Sequence, residues 1–498
     1  MTEFVTPAKI KRVVIVGAGL TGLSTALNLL ENRNEQQGKH LQITIIEARD
    51  RVGGRTHTEQ IESELFELKA SVDVGGQWVG PTQTRVLKLL DRFGMRLKEQ
   101  MYPPKTSERL EVECIGYENP PLSAVAAEEL KSFMATFEAL IEQIDPTAPW
   151  EHPNASNFDR MSVNEYVFSQ IGTKEARKEA LLLILSLTGV EGEKVSFLFC
   201  LFFIKTGGGL EALGDGEQGA QKWYISGGSQ QISKSLISHL MLMGVEFRKE
   251  DAVKQIVRNE QGSFQITTRS EKVFPADHVV VAMCPALALK KIEFYPPLPK
   301  GQVELFSSIV GGSAAKAIVV FKEAFWLKSQ DVAGLAGHFA DTGPIQNMFH
   351  TEIGGYPGLV CLCVGDPATQ LYEASPQERK QIILGQIRRL YFPDSSEEAT
   401  DNIEDLLGFV FFIDKIWAKE EFSSGCYCGM WKPNGTFSRL GAAYIQRSKI
   451  VGDDVAPTGE DTQNLYFAST ETSDVFVGYM EGAIRAGEIT AEIISDRL

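Results

Sequence analysis

The sequence predicts an α/β fold with a nucleotide-binding unit, and three observations predict it. A short β-branched run, Arg12–Val16 (RVVIV), leads into a glycine turn and then a helical pattern of leucines. A second apolar run, Gln42–Glu47 (QITIIE), ends on an acid. A third, Asp277–Met283 (DHVVVAM), far downstream, also reads as a buried strand.

The glycine turn is Gly17-Ala18-Gly19-Leu20-Thr21-Gly22, spaced G-x-G-x-x-G, and Leu20, Leu23, Leu27 and Leu30 follow at helical spacing. Gly17 permits a tight turn, Gly19 lets the backbone approach a pyrophosphate, and Gly22 lets helix and strand pack closely. The helix N-terminus then faces the phosphates with its orphan N–H groups. Glu47 is placed to accept from ribose hydroxyls. A lone G-x-G-x-x-G is also a plain glycine turn; strand, helix and terminal acid in order favour a Rossmann-like dinucleotide site.

Composition bounds the rest. The chain has 498 residues, room for about three domains, or two when one is discontinuous. With 43% hydrophobic residues and 28 Phe it has ample core and is not a disordered chain. The balance of 49 Lys+Arg against 65 Asp+Glu gives −16, which repels phosphate backbones and anionic lipid and leaves neutral or cationic small molecules as partners. Nucleic acid is therefore not expected. Seven cysteines without a signal peptide at Met1–Arg12 point to a reducing compartment and no disulfide framework. Ala180–Val190 and Phe197–Ile204 are separated by Glu191, Glu193 and Lys194; each is too short for a membrane span of ~20 residues. The seven histidines show no metal spacing, alternate strand positions explain Cys361 and Cys363, and no G-x-S-x-G elbow occurs. A cytoplasmic location is expected; Asp496-Arg497-Leu498, a loose relative of a peroxisomal tripeptide, leaves a peroxisomal one open. A homo-oligomer is also left open.

After Glu47 the chain continues Ala48-Arg49-Asp50-Arg51-Val52-Gly53-Gly54-Arg55-Thr56, and Asp73-Val74-Gly75-Gly76-Gln77-Trp78 follows. A nicotinamide enzyme needs no second diglycine–arginine loop there. The extended motif resembles that of the FAD-binding amine oxidase and related flavoprotein superfamily. The resemblance implies FAD, with Arg49, Gly54, Arg55, Gly76, Gln77 and Trp78 at cofactor positions. Arg55 can offer bidentate donors to phosphate or to a flavin-facing loop; the alternative is that Arg49, Arg51 and Arg55 are surface charges. Further on, Ile225–Gln230 opens a helix and Gly244–Phe247 reads as a strand; here the resemblance implies that Val253 holds the adenine through its backbone.

From Pro81 to about Tyr224 the sequence is helical in tone. A strand at Ala315–Phe321 carries Lys316, which by default is an edge or surface residue. Its place after the Pro-rich Tyr295–Pro299 and before Lys322-Glu323-Ala324-Phe325-Trp326 matches the monoamine oxidase pattern, where the resemblance implies a lysine holding a water against flavin N5.

Two motifs near the C-terminus sharpen this. One is Ser423-Ser424-Gly425-Cys426-Tyr427; the other runs from Tyr466-Phe467-Ala468-Ser469-Thr470-Glu471-Thr472 to Gly478-Tyr479-Met480-Glu481-Gly482-Ala483 and into a closing helix. The pair resembles monoamine oxidases of the covalent-FAD type. That resemblance implies a thioether from Cys426 to the flavin 8α-methyl, cofactor contacts at Thr470 and Met480, and Tyr427 and Tyr479 flanking the amine. A thiol is a natural nucleophile toward that electrophilic methyl, and aromatic faces suit an amine nitrogen. Cys428, two residues on, departs from the family pattern and leaves open which cysteine bonds, or whether either does.

The resemblance thus implies an amine oxidase-type fold: a discontinuous FAD-binding domain (8–92, 225–300 and 420–495) and an α+β substrate-binding domain (93–224 and 301–419). The implied reaction moves the α-hydrogen of a neutral primary amine to flavin N5. Hydrolysis of the imine then gives an aldehyde or ketone and ammonia, and dioxygen takes the electrons as hydrogen peroxide. Activity is expected to rise toward alkaline pH, because the substrate must shed its ammonium proton. The Gly207–Gly216 stretch resembles the family's gating loop and suggests a wide mouth for long or bulky amines, with Glu211 or Asp215 drawing in the ammonium; an ordinary exposed loop is the alternative. Other flavin oxidases, acting on polyamines or L-amino acids, and a non-catalytic flavoprotein remain alternatives.

Overall fold

Val13–Val16 and Ile43–Ile46 are buried β-branched runs, and in the computed structural model they lie side by side as the parallel strands Lys11–Val16 and Leu41–Ile46. The structure describes residues 10–32, 41–101, 122–214, 218–327, 343–392, 403–423, 425–445 and 464–498. Cys114, Asp215, Gly216 and Ser424 lie outside the described residues. The chain divides into two compact units, 1–54 with 230–309 and 439–498, and 55–229 with 310–438.

In the first unit five parallel strands run in the order Leu465–Phe467, His278–Val281, Lys11–Val16, Leu41–Ile46 and Glu246–Arg248. The register is fixed by pairs such as Ile15 with Val280 and with Ile45. The helix Leu20–Glu31 packs against the final helix, Met480–Ser495, so closely that a Cβ on Gly487 would stand 2.6 Å from the Thr21 carbonyl oxygen. A smaller sheet orders Val273–Ala276, Phe264–Thr268, Val253–Arg258 and Glu293–Tyr295.

The second unit joins a helical layer to an antiparallel sheet. Ser123, Ser162 and Ser196 each cap a helix through the side-chain oxygen, opening Ala124–Gln143, Val163–Gln170 and Phe197–Thr206. Residues Phe197–Ile204 are all buried, each large apolar side chain contributing ~1.5–3 kcal/mol relative to exposure. The sheet runs Ile345–Ile353, Tyr356–Val364, Ala314–Phe321, Phe409–Ile416, every neighbour antiparallel. Stretches 55–92 and 420–438, which the sequence motifs group with the nucleotide domain, lie in this unit. The physical reason is packing: Ile61, Leu68, Val72 and Val74 share one core with Ile318, Val320, Phe349 and Val360. No helix among the described residues is long and apolar enough to cross a membrane.

Candidate active site

In the first unit the glycines separate by what surrounds them. A Cβ on Gly22 would stand 2.1 Å from the Gly17 carbonyl oxygen, and one on Gly17 (φ +108°) 2.8 Å from that of Ala282. A Cβ on Gly19 would meet nothing within 4 Å. Gly19 therefore borders open space at the start of the Leu20–Glu31 helix, which no side chain caps. Gly53 bridges to Gly19, its N–H reaching the Ala18 carbonyl at 2.9 Å, and Gly54 takes φ +59°. Two glycine loops thus meet at Gly19, beside open space at a helix N-terminus that no side chain caps, the kind of place where backbone donors take a phosphate.

Glu47 is 4% exposed, and its carboxylate accepts from the N–H groups of Ala18 (2.8 Å) and Arg49 (2.9 Å). The Arg49 guanidinium stands 3.8 Å from the same carboxylate. Val253 is buried and begins its strand. Thr470 spends its hydroxyl on the turn ahead of the final helix, accepting from the Gly478 N–H (2.8 Å) and donating to the Tyr479 carbonyl (3.0 Å). Tyr479 is the N-cap residue and Met480 the first helical one; no side chain caps that N-terminus.

In the second unit Lys316 sits on an interior strand and is 4% exposed, against the default expectation of a surface lysine. Its Nζ donates to the Gly75 carbonyl (3.1 Å) and to Gln77 Oε1 (2.6 Å), and lies 5.0 Å from the centre of the Trp78 ring. Burial pulls its pKa down to about 8, against the favourable charges of Asp73 and Cys426. Trp78 is oriented in turn: its indole N–H donates to Gln100 Oε1 at 2.9 Å, and its ring lies 4.7 Å from that of Phe349.

Arg55 reaches back across the unit to donate to the Tyr427 carbonyl at 2.9 Å, and its own carbonyl accepts from the Gly76 N–H. It is a structural clamp on the cysteine–tyrosine turn rather than a loose surface charge. The Cys426 N–H donates to the Gly312 carbonyl, and a Cβ on Gly312 would stand 2.2 Å from the Cys426 carbonyl oxygen. The peptide joining Cys426 to Tyr427 is cis. Cys426 is 9% exposed; Cys428 is 2% exposed and turns its sulfur to Met430 Sδ at 3.8 Å. Helix Phe197–Thr206 runs into Gly207, Gly208 and Gly209 and a short turn, Leu210–Leu213, on which Glu211 is exposed.

Within its unit the structure gathers Lys316, Gln77, Trp78, Gly76, Arg55, Tyr427 and Cys426 from four separated stretches. Three polar residues escaped the sequence reading. Asp73 is buried, accepting from the Thr58 hydroxyl (2.5 Å) and from the Ser229 N–H and hydroxyl. An acid two residues ahead of the second diglycine was the available signal, but nothing in the linear pattern linked it to Thr58, Ser229 or Lys316.

Comparison with known proteins bears on what this arrangement serves. The family model for flavin containing amine oxidoreductase matches residues 20–495. Flavin-containing amine oxidase A of Canis lupus familiaris is 30% identical over 496 residues, covering 98% of this chain and 85% of that protein. A probable flavin-containing monoamine oxidase A of Dictyostelium discoideum is 29% identical, with 98% of both chains covered. Among solved structures, a wild-type putrescine oxidase bound to putrescine aligns at TM-score 0.79 and 26% identity, covering 98% of this chain and 99% of that one. Cyclohexylamine oxidase from Brevibacterium oxydans shares the fold at TM-score 0.80 and 24% identity, with 98% and 99% covered.

Proposed function

The chain belongs to the flavin-containing amine oxidoreductases, so it carries out FAD-dependent oxidation of small amines with dioxygen, and on that premise we propose which residues do so and on which amines. Bound FAD supplies the two-electron oxidation of the amine and passes the electrons to dioxygen. The open space over Gly19, between an uncapped helix N-terminus and the Gly53–Gly54 loop, fits a dinucleotide: any side chain at Gly19 would take up that room. Gly17, Gly22 and Glu47 shape this cradle, Glu47 by binding the loop through Ala18 and Arg49. Arg49, Gly54, Val253, Thr470 and Met480 are the further cofactor positions we assign, with Gly76, Gln77, Trp78 and Arg55 in the second unit.

Lys316 carries the reading. An ammonium has three N–H donors. Gly75 and Gln77 take two of them, and among the described residues none takes the third. A buried charged donor left unmet is costly, so the third N–H is kept for what binds beside it. We assign Lys316 to hold a water at the reacting end of the cofactor, and Tyr427 and Tyr479 to present aromatic faces to the amine. Cys426, fixed by Gly312 and by the Arg55 clamp on the next residue, is assigned the thioether, since the Cys428 sulfur is turned to Met430. The substrates proposed are primary amines, long or bulky ones included.

The test combines two measurements. Anaerobic addition of benzylamine, an alkylamine or putrescine to the yellow protein is expected to bleach it; no bleaching by any amine would return the chain to a non-catalytic flavoprotein. Acid precipitation is expected to leave the colour in the pellet for the wild type and Cys428→Ala, and in the supernatant for Cys426→Ala. Colour released from the wild type would end the thioether assignment without touching the amine reaction.

A further inference from the structure

Lys316 is a cation in a sheet interior, and the surrounding residues bear on how it keeps its charge there. Its own strand offers only Ala, Ile, Val and Phe. Across the sheet it pairs with Leu362 on one side and Lys415 on the other, and Lys415 is itself 3.6 Å from Glu420. Asp414, the next residue, is engaged by Arg379. Cys426 contributes negative character only as a thiolate, a form that thioether formation would remove. Asp73 is a buried carboxylate two residues ahead of Gly75, whose carbonyl Lys316 binds, and its charge favours the ammonium.

Asp73 is held as an anion would need to be. It receives the Thr58 hydroxyl at 2.5 Å and the Ser229 N–H at 2.9 and 3.0 Å, with the Ser229 hydroxyl at 3.2 Å from one oxygen and 2.5 Å from the Gly76 carbonyl. Gly228 makes the approach possible: it adopts φ +98°, and a Cβ there would stand 2.3 Å from Thr58 Cγ2. Asp73 is therefore tied at once to the hairpin strand Thr58–Ser63, to the Gly75–Gly76 turn and to Ser229. The Gly75–Gly76 turn supplies one of the oxygens that Lys316 binds.

We propose that Asp73 is the positioning residue of the lysine site: anchored by Thr58 and Ser229, its carboxylate keeps Lys316 an ammonium, while Gly75 and Gln77 aim the remaining N–H. This deepens the assignment of Lys316 to the flavin site and rests on it for its catalytic consequence, though not for the Asp73–Lys316 coupling itself. Burial pushes each partner toward neutrality, the Asp73 carboxyl upward and the Lys316 ammonium downward to about 8. Each charge opposes that drift in the other.

The test is the pH dependence of urea unfolding of the holoenzyme, read beside kcat/KM for amine and for dioxygen. A lysine whose folded pKa is lowered binds fewer protons folded than unfolded, so its contribution to stability rises from about pH 8 toward 10.5. In Asp73→Asn that rise is expected to begin at least about one pH unit lower, since a unit corresponds to a tenfold change in the lysine's proton affinity. In Lys316→Met the rise is absent, and adding Asp73→Asn introduces none. Thr58→Val, which removes one donor to Asp73 and keeps the shape, shifts the rise in the same direction by less; it serves if Asp73→Asn does not fold. The pH profile of kcat/KM is expected to shift in the same direction as the stability rise. A rise at the wild-type pH in both Asp73→Asn and Thr58→Val overturns the proposal. A shifted stability profile with unchanged activity profiles supports the coupling and instead defeats the assignment of Lys316 to the reaction.

Discussion

Around Gly17–Gly22 the first unit brings backbone against backbone, while around Lys316 the second brings charge into the interior of a sheet. The groups offered in the first are mostly peptide N–H donors, and its side chains serve chiefly to hold loops, as Glu47 and Thr470 do. In the second the groups offered are side chains, and backbone carbonyls such as those of Gly75, Gly312 and Tyr427 hold them. A backbone site needs only a short run of glycines beside a strand and a helix. A side-chain site needs a lysine, its counter-charge and its hydrogen-bond acceptors to converge from distant stretches.

The largest expected effect breaks the first unit. Gly22→Ala forces a Cβ to 2.1 Å from a carbonyl oxygen, and unfolding in urea should show a loss of about 3 kcal/mol or more. Gly19→Ala sharpens the point, because its Cβ meets nothing within 4 Å and its φ of −76° suits any residue. Its unfolding free energy should stay within ~0.5 kcal/mol, while the flavin absorbance recovered per chain falls. Equal losses of stability in both variants would deny that the space at Gly19 belongs to a ligand.

In the second unit Lys316→Met should lower kcat/KM about ten- to a hundredfold, the worth of a hydrogen bond from a charged donor. Steady-state kinetics with intact flavin content checks it, and an unchanged kcat/KM would leave the lysine a structural cation.

Buried bases set the two units apart on the pH axis. His278 in the first unit is fully buried beside Tyr466, and burial, helped by Lys11 and Arg497 and opposed by Asp277, holds it down to about 4. Its folded value lies below the unfolded 6.5, so the unfolded chain binds more protons in between; stability present above 6.5 is lost as pH falls toward 4, by up to ~3 kcal/mol. His278→Asn should flatten that acid limb in pH-dependent unfolding, whereas the Lys316 rise lies above about pH 8. One shared window would erase the contrast.

The smallest effect concerns substrate choice at the Gly207–Gly209 turn. If the mouth is wide, kcat/KM should change only a few-fold, roughly 1–2 kcal/mol, between benzylamine and long alkylamines. A steep fall with chain length would make the turn an ordinary surface loop.

The sequence by itself determined the first strand, the glycine turn, the helix after it and the closing helix, which runs Met480–Ser495. These are legible because the requirement is local: a glycine with no room for a Cβ, an apolar run and a helical repeat can be read a few residues at a time. Only the tertiary structure decided that 55–92 packs in the second unit, that the Lys316 strand is an interior one, and that Asp73, Thr58 and Ser229 meet. Thr58 and Ser229 are far apart in the chain, and a lysine between alanines carries no mark of what will lie against it. Whether a buried charge is tolerated depends on the distances to its partners, and those distances exist only once the chain has folded.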